Sequence, residues 1–149
     1  MKAMIISAAL VFSALAAPVA MAGKDPIYTG WRNNYAVGGY DITTFYAGVP
    51  LKGKAEHFAD YKGARWRFST QTNRDKFAAA PDDFLPAYGG YCAWAVANDK
   101  LAKGNPKHWN VEDGRLFLNF NGRIKARWEK DKARFISDAD SRWPAILED

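Results

Sequence analysis

Apolar and polar positions along the chain fall into short blocks that switch between the two-residue period of a strand and the wider spacing of a helix. From Glu56 to Tyr61 and from Ala64 to Ser69 two runs flank Lys62-Gly63, with Trp66 and Phe68 on one face and Arg65 and Arg67 on the other. That spacing predicts a β-hairpin. A second hairpin is predicted for Trp109 to Val111 and Leu116 to Phe120 around Glu112-Asp113-Gly114, since Asp-Gly supplies the positive φ angles of a tight turn. Asp41 ahead of Ile42 to Tyr46 predicts a capped short helix that ends at Gly48, with Pro50 behind it. Thr70 opens a helical segment to Ala80 whose Phe77 and alanines form an apolar stripe, stopped by Pro81.

Further along, Gly89-Gly90 lead into a helix with Cys92 in its first turn, and a loop runs from Asn98 to Pro106. Asn121 caps a long amphipathic stretch from Arg123 to about Ile136, and Ser137 to Ile146 adds a turn or two with Trp143 and Pro144. Residues Gly23 to Gly39 keep no period and read as an irregular arm whose Tyr28, Trp31 and Tyr35 pack on the domain. No internal repeat or low-complexity tract is evident. The expected fold is a small α+β domain, short hairpins packed against helices.

Composition agrees with one globular domain: 149 residues, 48% hydrophobic and 25% charged, with six Trp, seven Tyr and nine Phe to build a core. Residues 1–22 read as a secretory signal, in which Lys2 supplies the positive start, Ile5 to Ala17 the apolar run and Ala20-Met21-Ala22 the small-x-small cleavage site. Residues 23–149 are then the mature domain. Gly23, not Cys, follows the cut, so lipid attachment is not expected, and no second membrane candidate follows. The expected location is periplasmic or secreted, without a stable membrane anchor. Lys2 is the leader's single charge, so cleavage lowers the net charge from +5 to about +4. The basic residues are scattered among acidic ones, as in Arg123 to Arg134, which reads as a solvated helix face and not as a nucleic-acid groove.

Cys92 is the one cysteine, so an intrachain disulfide and every zinc site built on two or more thiolates are excluded. Near a helix start its thiolate gains from unpaired N–H groups, and the preceding glycines let donors approach closely. Its neighbours Tyr91, Ala93 and Trp94 suit burial equally well, and on local sequence both readings stand. His57 and His108 lie 51 positions apart, so any metal site using them with Cys92 is assembled in three dimensions; thiolate and imidazole together suit copper or zinc. A Cys-His dyad oriented by Asp41 or Asp113 lacks local support, and no nucleophile elbow, phosphate loop or dinucleotide fingerprint is present. An enzyme is therefore the minor reading.

Several ordered segments resemble the YHS-domain proteins, in particular the exported subgroup that carries cysteine or selenocysteine in Tyr-Gly-Gly-Tyr-Cys-Ala. The matching pieces are Gly39 to Asp41, Tyr61 to Ser69, Asn73 to Phe77, Tyr88 to Ala93, Asp113 to Asn119 and Trp128 to Asp131, spread over nearly the whole mature chain, with a YHS core at about 38–97 and a C-terminal hairpin and helices at 107–149. The resemblance implies a small α+β domain and, for some relatives, heavy-metal transport or binding. The cysteines of metal-handling YHS modules fall here near Thr44 and at Ser69 and Asn73, so that thiolate set is absent; only Cys92 matches a motif residue of the exported subgroup. Three functions follow from it. One is a non-enzymatic metal-handling module with Cys92 as ligand, His57 and His108 as helpers and copper as the ion. Another is a redox thiol resolved by a partner protein. The third is an accessory domain with Cys92 buried in its core.

Overall fold

The computed structural model describes residues 23–149, so the expected export signal lies outside the described residues. An α+β architecture of two antiparallel hairpins and five helices results, as the hydrophobic pattern predicts. Helix α1 (Ile42–Phe45) starts where the Asp41 side chain accepts from the Thr43 N–H at 3.0 Å. Strands β1 (Lys54–Tyr61) and β2 (Ala64–Phe68) pair across the Lys62-Gly63 turn, and α2 (Gln71–Ala79) is capped by Thr70, which accepts from the Asn73 N–H at 3.1 Å. Then follow α3 (Ala93–Ala97), β3 (Asn105–Glu112) paired with β4 (Arg115–Asn119), α4 (Gly122–Glu129) capped by Asn121, and α5 (Lys132–Arg142). No described helix is long and apolar enough to cross a membrane.

The order α1-β1-β2-α2 recurs as α3-β3-β4-α4, and each element starts 51 residues after its counterpart. The described residues with positive φ form six pairs at that spacing: Val37 and Tyr88, Gly38 and Gly89, Gly39 and Gly90, Gly48 and Asp99, Lys62 and Asp113, Gly63 and Gly114. Both hairpins also break register at the same place, between Lys54 and Phe58 in the first and between Asn105 and Trp109 in the second. An internal duplication is therefore present, contrary to the sequence reading. Its trace in sequence is thin because turns and caps persist while the packed residues change: Thr70 gives way to Asn121, Trp66 to Phe117, and Phe77 to Trp128.

The same period explains why no single helix spans Arg123 to Ile136. Ala80 (φ −152°, ψ 67°) ends α2, and its counterpart Asp131 (φ −153°, ψ 55°) breaks the chain between α4 and α5. Pro81 advertises the first break, whereas Lys132 leaves the second unmarked. After α5 comes a short 3₁₀ turn, Ala145–Leu147.

Two apolar clusters form the interior, and β4 divides them. Leu116 and Leu118 point into the first, with Phe45, Trp66, Phe68 and Phe77; Phe117 points into the second, with Tyr88, Val96, Trp128 and Phe135. This is the two-residue alternation of a strand buried on both faces. In β2 the positions matching Leu116 and Leu118 are Arg65 and Arg67, and that face remains partly open. In the N-terminal arm Ile27, Ala36 and Val37 are buried and Tyr28 meets Tyr91 edge-on at 5.4 Å. Trp31 departs from expectation: it is 88% exposed and stacks with the guanidinium of Arg32, at 4.6 Å.

Candidate functional site

Cys92 is placed by the turn before it. Gly89 takes a positive φ of +60° and stands so close to Pro26 and Ile27 that a side chain has no room, which fixes the path into Tyr91 and Cys92. Cys92 is the residue before α3 rather than within its first turn, its N–H donates to the Ala102 carbonyl at 2.9 Å, and it bridges to Leu118 of β4. The side chain is 1% exposed.

Around the sulfur, the thiol donates to Asn119 Oδ1 at 3.6 Å, and the backbone N–H groups of Ala95, Phe120 and Trp94 approach it, the last also donating to Asn119 Oδ1 at 3.2 Å. Burial pushes the thiol pKa above its ordinary value, and the three N–H groups offset part of that rise. Asn119 is fully buried, and its Nδ2 has no hydrogen-bond partner among the described residues. A cavity of about 280 Å³ opens over Cys92, walled by Trp94, Leu101, Ala102, Phe120 and Ile124 and edged by Lys100.

In the duplication Cys92 corresponds to Asp41. That carboxylate is also fully buried, and both its oxygens are hydrogen-bonded: Thr43 donates from N and Oγ1 to Oδ1, while Ser69 N, Ser69 Oγ and Asn73 Nδ2 donate to Oδ2, all within 2.7–3.0 Å. Burial raises its pKa, but the bonds from Ser69, Asn73 and Thr43 outweigh that and hold it below the ordinary carboxylate value. Thr43, Ser69 and Asn73 correspond to Trp94, Phe120 and Ile124, the walls of the cavity over Cys92. One half thus surrounds a carboxylate with hydroxyl and amide donors. The other replaces those three side chains by apolar ones and keeps a single polar side chain, Asn119, at the sulfur.

The histidines occupy equivalent places in the two hairpins, on β1 and β3. His57 Nδ1 lies 3.2 Å from Gln71 Oε1, and His108 faces Gly122, where a Cβ would lie 3.6 Å from its Cε1. Neither lines the cavity over Cys92, and among the described residues no group of three or more His, Cys, Asp or Glu side chains is placed to hold a metal ion. The orienting role considered for Asp41 finds its oxygens committed to Thr43, Ser69 and Asn73, and Asp113 sits in the turn between β3 and β4.

Sequence reasoning missed Asn119, and it missed the pairing of Cys92 with Asp41. The signal that could have found the pairing is the 51-residue spacing shared by the Gly-Gly-Tyr triplets at 38–40 and 89–91 and by the two histidines. It also missed the tie between β4 and α5, in which the Tyr88 hydroxyl donates to Asp140 at 2.8 Å while Arg115 grips the same carboxylate through two nitrogens at 2.8 and 3.0 Å. Burial, then the Asp140 bond, drive the Tyr88 pKa far up, so the phenol remains a donor. No family model, curated protein or solved structure matches the chain. Fold and site together define a duplicated α+β domain with a thiol standing at a carboxylate position.

Proposed function

We propose that the protein is an exported, non-enzymatic YHS-type module that takes a soft metal ion, copper(I) foremost, as cargo on the Cys92 thiol and exchanges it with a partner protein. The observation that carries this reading is the lining of the cavity: one sulfur, apolar walls and Lys100, without a carboxylate or imidazole. A lone soft donor in such a pocket selects thiophilic ions over hard ones. His57 and His108 stand outside the cavity, so the reading rests on Cys92 alone and the second ligand comes from the partner. Two thiolates on copper(I) carry one net negative charge, which the Lys100 ammonium offsets. Because the thiol must lose its proton to ligate, affinity rises with pH.

The near-complete burial of Cys92 favours one other reading, a structural accessory domain with the thiol as a core residue. Anaerobic titration of the reduced protein with copper(I) against a competing chelator separates the two, with Cys92→Ser and the His57→Ala, His108→Ala double variant in parallel. Stoichiometric binding that Cys92→Ser loses and the histidine variant keeps is the expected result. Absence of competitive binding in the unaltered protein leaves the accessory reading.

A further inference from the structure

Around Asp41 the first half closes its own shell. Thr43, Ser69 and Asn73 donate to the carboxylate, and Thr44 Oγ1 donates to the Asp41 carbonyl at 2.7 Å while accepting from the Leu51 N–H at 3.0 Å. In the second half Thr43, Thr44, Leu51, Ser69 and Asn73 become Trp94, Ala95, Ala102, Phe120 and Ile124, and all five line the cavity of about 280 Å³ over Cys92. Four of these positions exchange a hydroxyl or an amide for hydrocarbon, and two shrink to alanine. The result is a hollow whose walls are apolar yet open to solvent, with Phe120 39% exposed. Apolar surface left in water is unfavourable, and a concave apolar surface with a few convergent polar groups is the usual form of a small-molecule site.

The charge at its mouth is positive. Lys100 edges the cavity at the position Val49 holds in the first half, and the Lys103 ammonium lies 5.2 Å from the centre of the Phe120 ring. No carboxylate lines the cavity, and Asp99, which precedes Lys100, stands 3.7 Å from Arg142 instead. The lysine ion pairs among the described residues are those of Lys62, Lys125 and Lys132, so both ammonium groups at the cavity are uncommitted. We infer that this cavity binds a small amphipathic monoanion, an alkyl carboxylate of short to medium length, with its chain against Trp94, Leu101, Phe120 and Ile124 and its carboxylate at Lys100. The volume lies at the lower edge of the roughly 300–1,000 Å³ common for ligand pockets, which suits one short chain and not a two-chain lipid. The chain supplies the affinity by leaving water, and the exposed ammonium selects the sign of the head group. A bound chain lies between Cys92 and solvent, so the ligand controls access to the sulfur without bonding to it. Walls and rim suffice for this, whether or not the thiol takes a metal.

The test titrates the reduced, metal-free protein with sodium octanoate and follows both the melting temperature and the rate at which iodoacetamide alkylates Cys92. Octanoate should raise the melting temperature saturably, and at ten times its Kd it should slow alkylation about tenfold, since only the unliganded fraction reacts. Acetate, a head group without a chain, should do neither. Octylammonium, the same chain with the opposite charge, should bind at least about tenfold more weakly. Lys100→Gln, at an exposed position, should narrow that preference, and Ala102→Leu, which restores the bulk of Leu51, should remove the protection. Where Ala102→Leu does not fold, Lys100→Gln reads the same site. No saturable effect of octanoate, equal effects of octanoate and octylammonium, an unchanged preference in Lys100→Gln, or full protection in a folded Ala102→Leu variant would each overturn the assignment.

Discussion

Asp41 and Cys92 occupy the same position in the two halves of the chain, each buried before a short helix and each facing backbone N–H groups, yet one is held ionised and the other protonated. A thiol ionises well above a carboxyl to begin with, and the two shells, Ser69 and Asn73 against Phe120 and Ile124, push the groups further apart. The polar shell makes Asp41 a keystone of the first half. Replacing it by Asn keeps the shape but turns an acceptor into a donor facing donors, and should cost about 2–4 kcal/mol near neutral pH. Since the folded pKa lies below the unfolded one, the carboxylate's contribution is present above the unfolded pKa and is lost as pH falls through the folded value. In urea denaturation the gap between the unaltered protein and Asp41→Asn should therefore narrow on acidification; a gap independent of pH would refute the assignment.

For Cys92 the sign is reversed. Burial raises the folded pKa above the unfolded one, so the thiol stabilises the fold below the unfolded pKa and that contribution is lost as pH climbs through the folded value. A raised pKa and burial both withhold the reactive thiolate, so near neutral pH iodoacetamide should modify the folded protein more slowly than the denatured protein. The folded rate should keep increasing with pH beyond the range where an ordinary thiol levels off. Equal rates in the two states would show the sulfur to be freely accessible and its pKa unshifted.

Both hairpins and the caps at Asp41, Thr70 and Asn121 are legible in the sequence because each rests on a local rule, a turn dipeptide or a side chain reaching an unpaired N–H within three residues. Cys92 is legible as the lone thiol. Its surroundings are not, since Asn119, Phe120 and Ile124 reach it from β4, the turn after it and α4 through tertiary packing that no local pattern encodes. Trp31 is misjudged because aromatic character speaks for burial only where the backbone turns the ring inward. The duplication escapes notice because it survives in backbone conformation more than in residue identity. Without a proline at Lys132, the helix break at Asp131 is invisible, although Ala80 makes the same break one repeat earlier.

Glycines at equivalent conformations should respond differently to alanine. Gly114 has φ +74° with nothing near its missing Cβ, so Gly114→Ala carries only the left-handed backbone penalty, about 1–2 kcal/mol. Gly89 has φ +60° and also abuts the Pro26 carbonyl and Ile27, so Gly89→Ala adds a clash with backbone and should cost more than about 3 kcal/mol. Thermal melts of the two variants rank them. The order would reverse only if the N-terminal arm left the Gly89 turn without loss of stability.

Trp128 and Phe77 fill the same place in the two cores, but Trp128 brings an indole N–H that is fully buried without a partner among the described residues, against Phe117 at 5.3 Å. Trp128→Ala should cost about 3–5 kcal/mol, the usual range for emptying an aromatic core site. Trp128→Phe installs the residue that the first half uses there. It gives up part of the ring's packing but removes the orphaned donor, and the two effects offset, so the net loss should stay below about 1.5 kcal/mol. Urea denaturation followed by circular dichroism measures both, with an unchanged slope showing that the same surface is exposed on unfolding. If Trp128→Phe proves as damaging as Trp128→Ala, the indole N–H has a partner that its burial conceals, and the equivalence of the two cores fails at its largest side chain.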